Sequence, residues 1–219
     1  METILKEDHK IKAILFDLDG VLVDGAPWHR ESMLRALHDF GWDVNENEIV
    51  NLEGLTTIDK LAELSRRGRV GSRTGLHEKI NELKQNYMLE IIENRCVRHT
   101  PTFNAVCYAD LQLPCAVVTN CSKDAAHLML EKSNLKQFMG AIITNEDVPD
   151  GKAKPHPLPY STGAWRLGFQ TKQCLAFDDT DKGIMSALEA GCKFHRIRQF
   201  GDLTRDIIHR KLKSLRIRL

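Results

Sequence analysis

The sequence predicts an α/β protein in which a doubly wound, Rossmann-like parallel sheet forms the core and an α-helical cap domain is inserted into it. Three observations lead there. Short apolar runs without helical period recur at Ile11–Phe16, Cys115–Asn120, Ala141–Thr144, Cys174–Asp179 and Cys192–Ile197, the pattern of strands buried on both faces of a parallel sheet. From Cys115 onward these runs alternate with helical stretches, and short crossovers of this kind join parallel strands right-handedly. Between Pro27 and Arg95 every periodic stretch is instead helical, as for a module inserted into an α/β domain. The expected division is a core of residues 1–25 and 96–219 and a cap of residues 26–95. Strand order is not readable from the chain alone.

Composition sets the bounds. A chain of 219 residues can build one sizeable core, or a core with a small inserted module. Its apolar and charged fractions, 42% and 28%, are those of a soluble globular protein. A formal net charge of +1 gives no reason to expect nucleic acid or an acidic membrane as partner. The basic run after Arg205 (Arg210, Lys211, Lys213, Arg216 and Arg218, opposed by Asp206) reads as a solvated last helix whose cations complement its dipole. The six cysteines show no C-x-x-C pair and read as reduced core residues of a cytoplasmic protein. Cys121 follows a strand end, but nothing marks it as a nucleophile. The nine histidines lack zinc-site spacing. Residues 1–10 are charged without an apolar leader pattern, and no segment approaches a membrane span, so neither secretion nor membrane insertion is expected.

Taken in order, the first strand places Asp17 at or just past its carboxyl end, the edge where open α/β sheets bind ligands. Alternation starts Asp17 and Asp19 on one side with Leu18 turned away. Carboxylates that close repel unless one is protonated or a cation sits between them, and Mg²⁺ suits such oxygen ligands. Gly20 permits a turn that a Cβ would resist. Standing alone, Asp17-Leu18-Asp19-Gly20 is equally well a solvated turn. After the hinge Gly25-Ala26-Pro27, Met33, Leu34, Leu37 and Phe40 mark a helix stopped by Gly41. Ile58, Leu61, Ala62 and Leu64 mark a second helix after Thr56 or Thr57, Arg66–Gly75 is a loop, and Leu76, Ile80, Leu83, Tyr87 and Ile91 face a long third helix. Pro101–Leu111 returns the chain to the core. Ser122 caps a helix reaching about Asn134, Tyr160–Leu167 is helical, and Thr180 caps a helix closed at Gly191.

Three strands end in polar residues that reach one common edge: Asp17, Thr119 and Asp179. The Thr119 hydroxyl, with N–H groups near Asn120 and the next helix, can take a phosphate, or can equally satisfy a local turn. In Gly151-Lys152-Ala153-Lys154-Pro155-His156-Pro157 the alternate prolines stiffen the backbone and aim Lys154, whose ammonium would offset the carboxylates. Lys152 competes for that role. Adjacent Asp178 and Asp179 again ask for a cation.

The four stretches together, Asp17-Leu18-Asp19-Gly20-Val21-Leu22-Val23-Asp24, Val118-Thr119-Asn120, Lys154-Pro155 and Asp178-Asp179-Thr180, resemble the four motifs of the haloacid dehalogenase superfamily in their usual order. The likeness is to the β-phosphoglucomutase and phosphoglycolate phosphatase group, whose helical cap lies between the first two motifs. His29 and the tail Gly183–Gly191 match that group too. The fourth motif departs from it, with Asp178-Asp179-Thr180 where Glu-Asp-Ser is usual, a mild change. The resemblance implies phosphoryl transfer in two steps: Asp17 attacks phosphorus and becomes an aspartyl phosphate, Asp19 serves as acid and then base, and Thr119 and Lys154 hold the phosphoryl oxygens. It implies Mg²⁺ held by Asp17, the Asp19 main-chain carbonyl and Asp179, with Asp178 as a second ligand or an acceptor for water. Gly20, Asn120 and the cap residues Thr56, Thr57 and Lys60 are the expected substrate contacts. Asp19 argues for phosphate esters, since dehalogenases of this fold lack a carboxylate there. The cap segment Leu52–Lys60 lacks the arginine expected of a mutase, although Lys60 or an arginine between Arg66 and Arg73 could stand in for it. The expectation is a cytoplasmic phosphatase, monomer or homodimer, acting on a small phosphate ester. A sugar-phosphate mutase and a non-catalytic phospholigand binder are the alternatives.

Overall fold

The computed structural model describes residues 10–53 and 55–217. The charged stretch 1–9, Gly54 of the cap segment, the side chains of Arg216 and Ile217, and residues 218–219 lie outside that description. Strands β1 (Ala13–Phe16), β2 (Cys115–Val118), β3 (Met139–Ile143), β4 (Cys174–Asp178) and β5 (Lys193–Arg196) form one parallel sheet in the order β3-β2-β1-β4-β5. The chain winds outward from β1 through β2 to β3, then resumes on the other side of β1 with β4 and β5. The reversal falls between β1 and β4, where an open α/β sheet forms its crevice. Phe16 pairs with both Val117 and Phe177, so β1 ends one residue before β2 and β4, and the three strands deliver Asp17, Thr119 and Asp179 to one edge.

Alternation along β1 explains the layers. Ile14 and Phe16 face the side covered by α5 (Thr100–Asp110), α6 (Lys123–Lys132) and α9 (Arg205–Ile217), where they join Val106, Met129 and Ile208. Ala13 and Leu15 face α7 (Leu158–Arg166) and α8 (Asp181–Glu189), joining Tyr160, Ala164 and Ala187. The basic last helix is thus not merely solvated: Ile208 and Leu212 are buried against the core. β5 is an edge strand, confined to Lys193–Arg196 and largely exposed, while its flanks Cys192 and Ile197 are buried. No described helix is long and apolar enough to cross a membrane.

Helices α1 (Ala26–Asp39), α2 (Glu46–Val50), α3 (Thr57–Arg66) and α4 (Leu76–Arg95) enclose a separate core of Met33, Leu37, Ile49, Leu61, Leu64 and Ile80. Helix α2 is absent from the periodicity reading. Its signal is a capping box, in which Asn45 Oδ1 accepts from Glu48 N and Glu48 Oε2 accepts from Asn45 N, each at 3.1 Å. The buried stripe of α4 is Ile80, Lys84, Met88, Ile91 and Ile92, with Leu76, Leu83 and Tyr87 only partly covered. The stripe is rotated because α4 serves two bodies: Ile80 enters the cap core, while Met88 and Ile92 enter the main core with Cys96. Ser122 stands at the N-cap position of α6 without capping it; its hydroxyl donates to Gln85 Oε1 of α4 at 2.9 Å.

Candidate active site

Asp17 lies just past β1, aligned by its N–H, which donates to the Phe177 carbonyl at 2.8 Å. Its buried carboxylate meets Lys154 from the loop after β3: Lys154 Nζ donates to Asp17 Oδ1 at 2.6 Å and to Asp178 Oδ2 at 2.8 Å. Tyr160 adds a hydroxyl to Asp178 Oδ2 at 2.7 Å, while the Thr180 N–H and hydroxyl both reach Asp178 Oδ1 at 3.0 Å. Asp178 is therefore saturated by donors, and its visible work is to hold Lys154. The Lys154 backbone is gripped by Asn120, whose Nδ2 donates to the Lys154 carbonyl at 3.0 Å and whose Oδ1 accepts from Lys154 N at 2.9 Å. Gly183 is required here, since a Cβ on it would lie 1.9 Å from Asp178 Oδ2.

One ammonium does not balance the acids around it. Burial, against the pull of Lys154 and with the push of Asp178, Asp179 and Asp19, raises the Asp17 carboxyl well above its ordinary range. Burial and Asp178 bring Asp179 up to about 6. Lys154 is itself raised: burial works to lower it, but Asp17 and Asp178 outweigh that. Asp179 Oδ1 is buried without a hydrogen-bond partner, and Asp17, Asp178 and Asp179 can each bring an oxygen within 4.8 Å of the others. An oxygen-only donor set with an orphaned buried oxygen fits a hard divalent cation such as Mg²⁺. Gly20, at φ +80°, lets the backbone pass beside this group; a Cβ there would meet Asp179 Oδ2 at 2.3 Å.

The fit has a measurable consequence. A carboxyl raised from 3.8 to about 6 in the fold binds a proton that the unfolded chain has released, so metal-free stability falls as pH rises through that window. Adding Mg²⁺ to chelator-treated protein is expected to raise the melting midpoint by roughly 5–10 °C near neutral pH and by much less near about pH 4. Thermal melts at the two pH values check this, and an equal shift at both would remove the carboxylates from metal binding.

A second cluster faces the cap. His29 of α1 places Nε2 3.2 Å from Asp19 Oδ1 and 3.7 Å from Cys121 Sγ, and its Nδ1 accepts from Lys84 Nζ at 3.0 Å. Burial lowers the His29 pKa, so the ring is neutral and its proton sits on Nε2, toward Asp19. For Asp19 burial works upward, but His29, Lys84 and Lys60 outweigh it and hold the carboxyl below its ordinary value. Although Asp19, His29 and Cys121 lie within ligating reach of one another, the Lys84 ammonium occupies Nδ1 and repels a cation there. The Cys121 thiol is pushed well up by burial, which argues against a nucleophile.

The cleft between this cluster and the sheet edge has a volume of about 210 Å³. Asp17, Asp19, Thr119, Asn120, Lys154 and Asp179 line its floor, and Thr56, Thr57 and Lys60 line its cap side. Gly20 and Asp178 stand behind the lining. Thr119 Oγ1 accepts from Cys121 N at 3.0 Å, which leaves the hydroxyl proton to donate. Thr56 is committed to capping α3: its oxygen accepts from Asp59 N at 3.2 Å and its hydroxyl donates to Asp59 Oδ2 at 2.8 Å. The loop arginines do not line the cleft: Arg66 and Arg67 pair with Glu63, and Arg69 with Glu48. Lys60 is lowered to about 8 by burial and by Lys84. Because the unfolded chain keeps that proton between about 8 and 10.5, the cost is fully present below pH 8 and fades above it. Lys60→Met is therefore expected to stabilise the ligand-free protein by about 1–3 kcal/mol at neutral pH, with the gain vanishing toward about pH 10, as read by urea denaturation.

Tyr160 and Lys84 were not among the sequence-derived candidates. Lys84 had a signal, a lysine in the i, i+4 row Ile80, Lys84, Met88, Ile92 where an apolar residue belongs. Tyr160 had none beyond its place in a helix.

The fold and this cleft define a hydrolase with an aspartate at the tip of its first strand and a helical cap over it. The haloacid dehalogenase-like hydrolase family profile matches residues 14–197, and the chain belongs to that family. Among curated relatives, fructose-1-phosphate phosphatase YqaB of Escherichia coli is 26% identical over 81% of this chain and 92% of its own. Phosphoglycolate phosphatase of Yersinia pestis is 28% identical over 83% and 78%. Among solved structures, β-phosphoglucomutase of Clostridium difficile superposes with a TM-score of 0.80 at 18% identity, covering 94% of this chain and 99% of that one. CbbY of Rhodobacter sphaeroides, solved with phosphate, gives 0.74 at 19% identity over 87% and 91%. Within the family, the chain falls in the group of β-phosphoglucomutase-like and phosphoglycolate phosphatase-like members.

Proposed function

We propose that the chain is a Mg²⁺-dependent phosphatase that hydrolyses a small phosphomonoester through an aspartyl phosphate on Asp17. The observation that carries this is the juxtaposition of Asp17, held by Lys154 at 2.6 Å, with Asp19, faced by His29 at 3.2 Å, on the floor of one cleft. The relatives named as phosphatases of fructose 1-phosphate and phosphoglycolate support the same class of reaction.

In the first step a carboxylate oxygen of Asp17 attacks phosphorus as the P–O bond to the alcohol breaks, and Asp19 hands a proton to the departing oxygen. Asp19 is ionised in the empty cleft; the incoming phosphate dianion raises its pKa and loads it with that proton. In the second step Asp19 takes a proton from water, which attacks the acyl phosphate and releases inorganic phosphate and free Asp17. Lys154 and the Thr119 hydroxyl meet the phosphoryl oxygens throughout. Asp17, the Asp19 main-chain carbonyl and Asp179 would hold Mg²⁺, with Asp178 behind them; when bound, the ion spreads the charge at phosphorus. The cap, residues 26–95, closes over the core, residues 1–25 and 96–219, and excludes water before chemistry. A cytoplasmic monomer or homodimer, with a small phosphate ester as its partner, completes this reading.

Purified protein should release phosphate from small phosphomonoesters with Mg²⁺ and not with chelator, and hydroxylamine should intercept an acyl phosphate during turnover. Failure to hydrolyse any ester across a broad panel, or the absence of an adduct on Asp17, would end the proposal. Lys60, a cation on the cap side, favours the mutase as second reading; interconversion of the two glucose phosphates, assayed in the same panel, decides it.

A further inference from the structure

Asp178 reaches the cation site and has nothing left to give it. It can bring an oxygen within 4.8 Å of Asp17 and Asp179, yet its carboxylate is taken on both sides. Oδ1 accepts from the Thr180 N–H and hydroxyl, and Oδ2 accepts from Lys154 Nζ and the Tyr160 hydroxyl. A carboxylate offers about four lone-pair sites, and these donors fill them. The other donors have further work: Lys154 also serves Asp17 at 2.6 Å, and Thr180 caps α8. Tyr160 has a single hydroxyl proton, and it goes to Asp178 at 2.7 Å.

Tyr160 is also a rigid support. It is fully buried in the first turn of α7, in the core layer of Leu15, Ala164 and Ala176. The stretch before that helix is tied down by Ser186 of α8, whose hydroxyl donates to the His156 carbonyl at 2.6 Å. The Tyr160 ring lies beside Lys154, with Nζ 4.9 Å from its centroid and 3.4 Å from its oxygen. A phenylalanine would fill the same space with no polar atom to desolvate, so the bond to Asp178 must offset what burying the hydroxyl costs.

We propose that Tyr160 is a positioning residue that keeps Asp178 on Lys154 and out of the coordination shell of the divalent cation, which Asp17, Asp179 and the Asp19 main-chain carbonyl then share with water. Its catalytic consequence rests on the phosphatase reading above. The cation and the ammonium compete for the same acids. An ammonium deserted by Asp178 would be drawn onto Asp17 alone and would mask the charge that must attack phosphorus.

Tyr160→Phe keeps the ring and changes no charge, so it frees a lone pair of Asp178 and little else. Mn²⁺, which suits the same oxygen ligands as Mg²⁺, serves as the probe. Titrated into chelator-treated protein and read by electron paramagnetic resonance, it should bind Tyr160→Phe about three- to tenfold more tightly than the wild type. The gain should vanish when both proteins also carry Asp178→Asn. Trimming a residue of purely structural value would loosen the site instead, so equal or weaker binding in Tyr160→Phe, or a gain that survives Asp178→Asn, would overturn the assignment. The wild type alone gives a second measurement that needs no variant to fold. Its bound Mn²⁺ should keep about three waters in an octahedral shell, counted by electron–nuclear double resonance in light and heavy water. One water fewer would put Asp178 in the shell and likewise overturn it. In turnover at saturating Mg²⁺, kcat of Tyr160→Phe should fall by about tenfold with KM little changed; an unchanged kcat would overturn the catalytic consequence. Should the wild type hydrolyse no ester, the phosphatase reading fails by itself, and the Mn²⁺ measurements still judge Tyr160.

Discussion

Asp17→Asn should lose phosphate release by about ten-thousand-fold or more and keep its fold. A carboxamide has the shape of the carboxylate without its nucleophilic charge, so the acyl phosphate cannot form. Stability should hold or rise in metal-free protein. Asp17 sits among Asp178, Asp179 and Asp19 with its carboxyl pushed up by burial and by those neighbours, and the substitution removes one of the crowded charges. Lys154 retains an oxygen to donate to at the position now 2.6 Å away. Turnover assays and thermal melts on the same preparation check both halves. Ordinary turnover would strike Asp17 from the mechanism.

Lys154→Met should do the reverse, costing both stability and activity. Removing one member of a buried ion pair strands its partners, typically by about 3–5 kcal/mol. Here two carboxylates and the Tyr160 hydroxyl lose their shared donor or neighbour. The stranded Asp17 carboxyl can escape by taking up a proton, so the loss should be small in acid and grow as pH rises through its raised pKa. Phosphate release should fall by about a hundredfold or more in the surviving folded fraction. Lys154→Arg should rescue little, because a planar guanidinium does not fit a gap shaped for a point charge between Asp17 and Asp178. Urea melts at several pH values, read beside turnover, test this; stability equal to wild type at neutral pH would show that the pair is dispensable.

What could be read without coordinates follows from where strands end. Asp17, Thr119 and Asp179 declared themselves because a parallel sheet delivers the residue after each strand to one edge, and the pairing of Phe16 with Val117 and Phe177 brings the three strand ends within one residue of each other. Lys154 was legible through its prolines, although the hold on its backbone comes from Asn120, which also lines the cleft floor. Thr56, expected as a substrate contact, lines the cap side of the cleft and also caps α3. Tyr160 and Lys84 were harder, since each matters through a meeting of two helical faces that periodicity leaves unrotated. The short α2 fell below the length at which a 3.6-residue period can be recognised, and only its capping box betrayed it.

The double allegiance of α4 has a mechanical outcome. Met88 and Ile92 anchor the helix in the main body, while Ile80, two turns earlier, belongs to the cap. Lys84 lies between those anchorages and so sits near the fulcrum of any swing, whereas Lys60, on α3, is carried at the end of the lever. A swing outward would sweep Lys60 away from the floor and leave Lys84 beside His29. Any contact that Lys60 makes with a bound ester would then form as the lever comes down, after the phosphate has already found its seat.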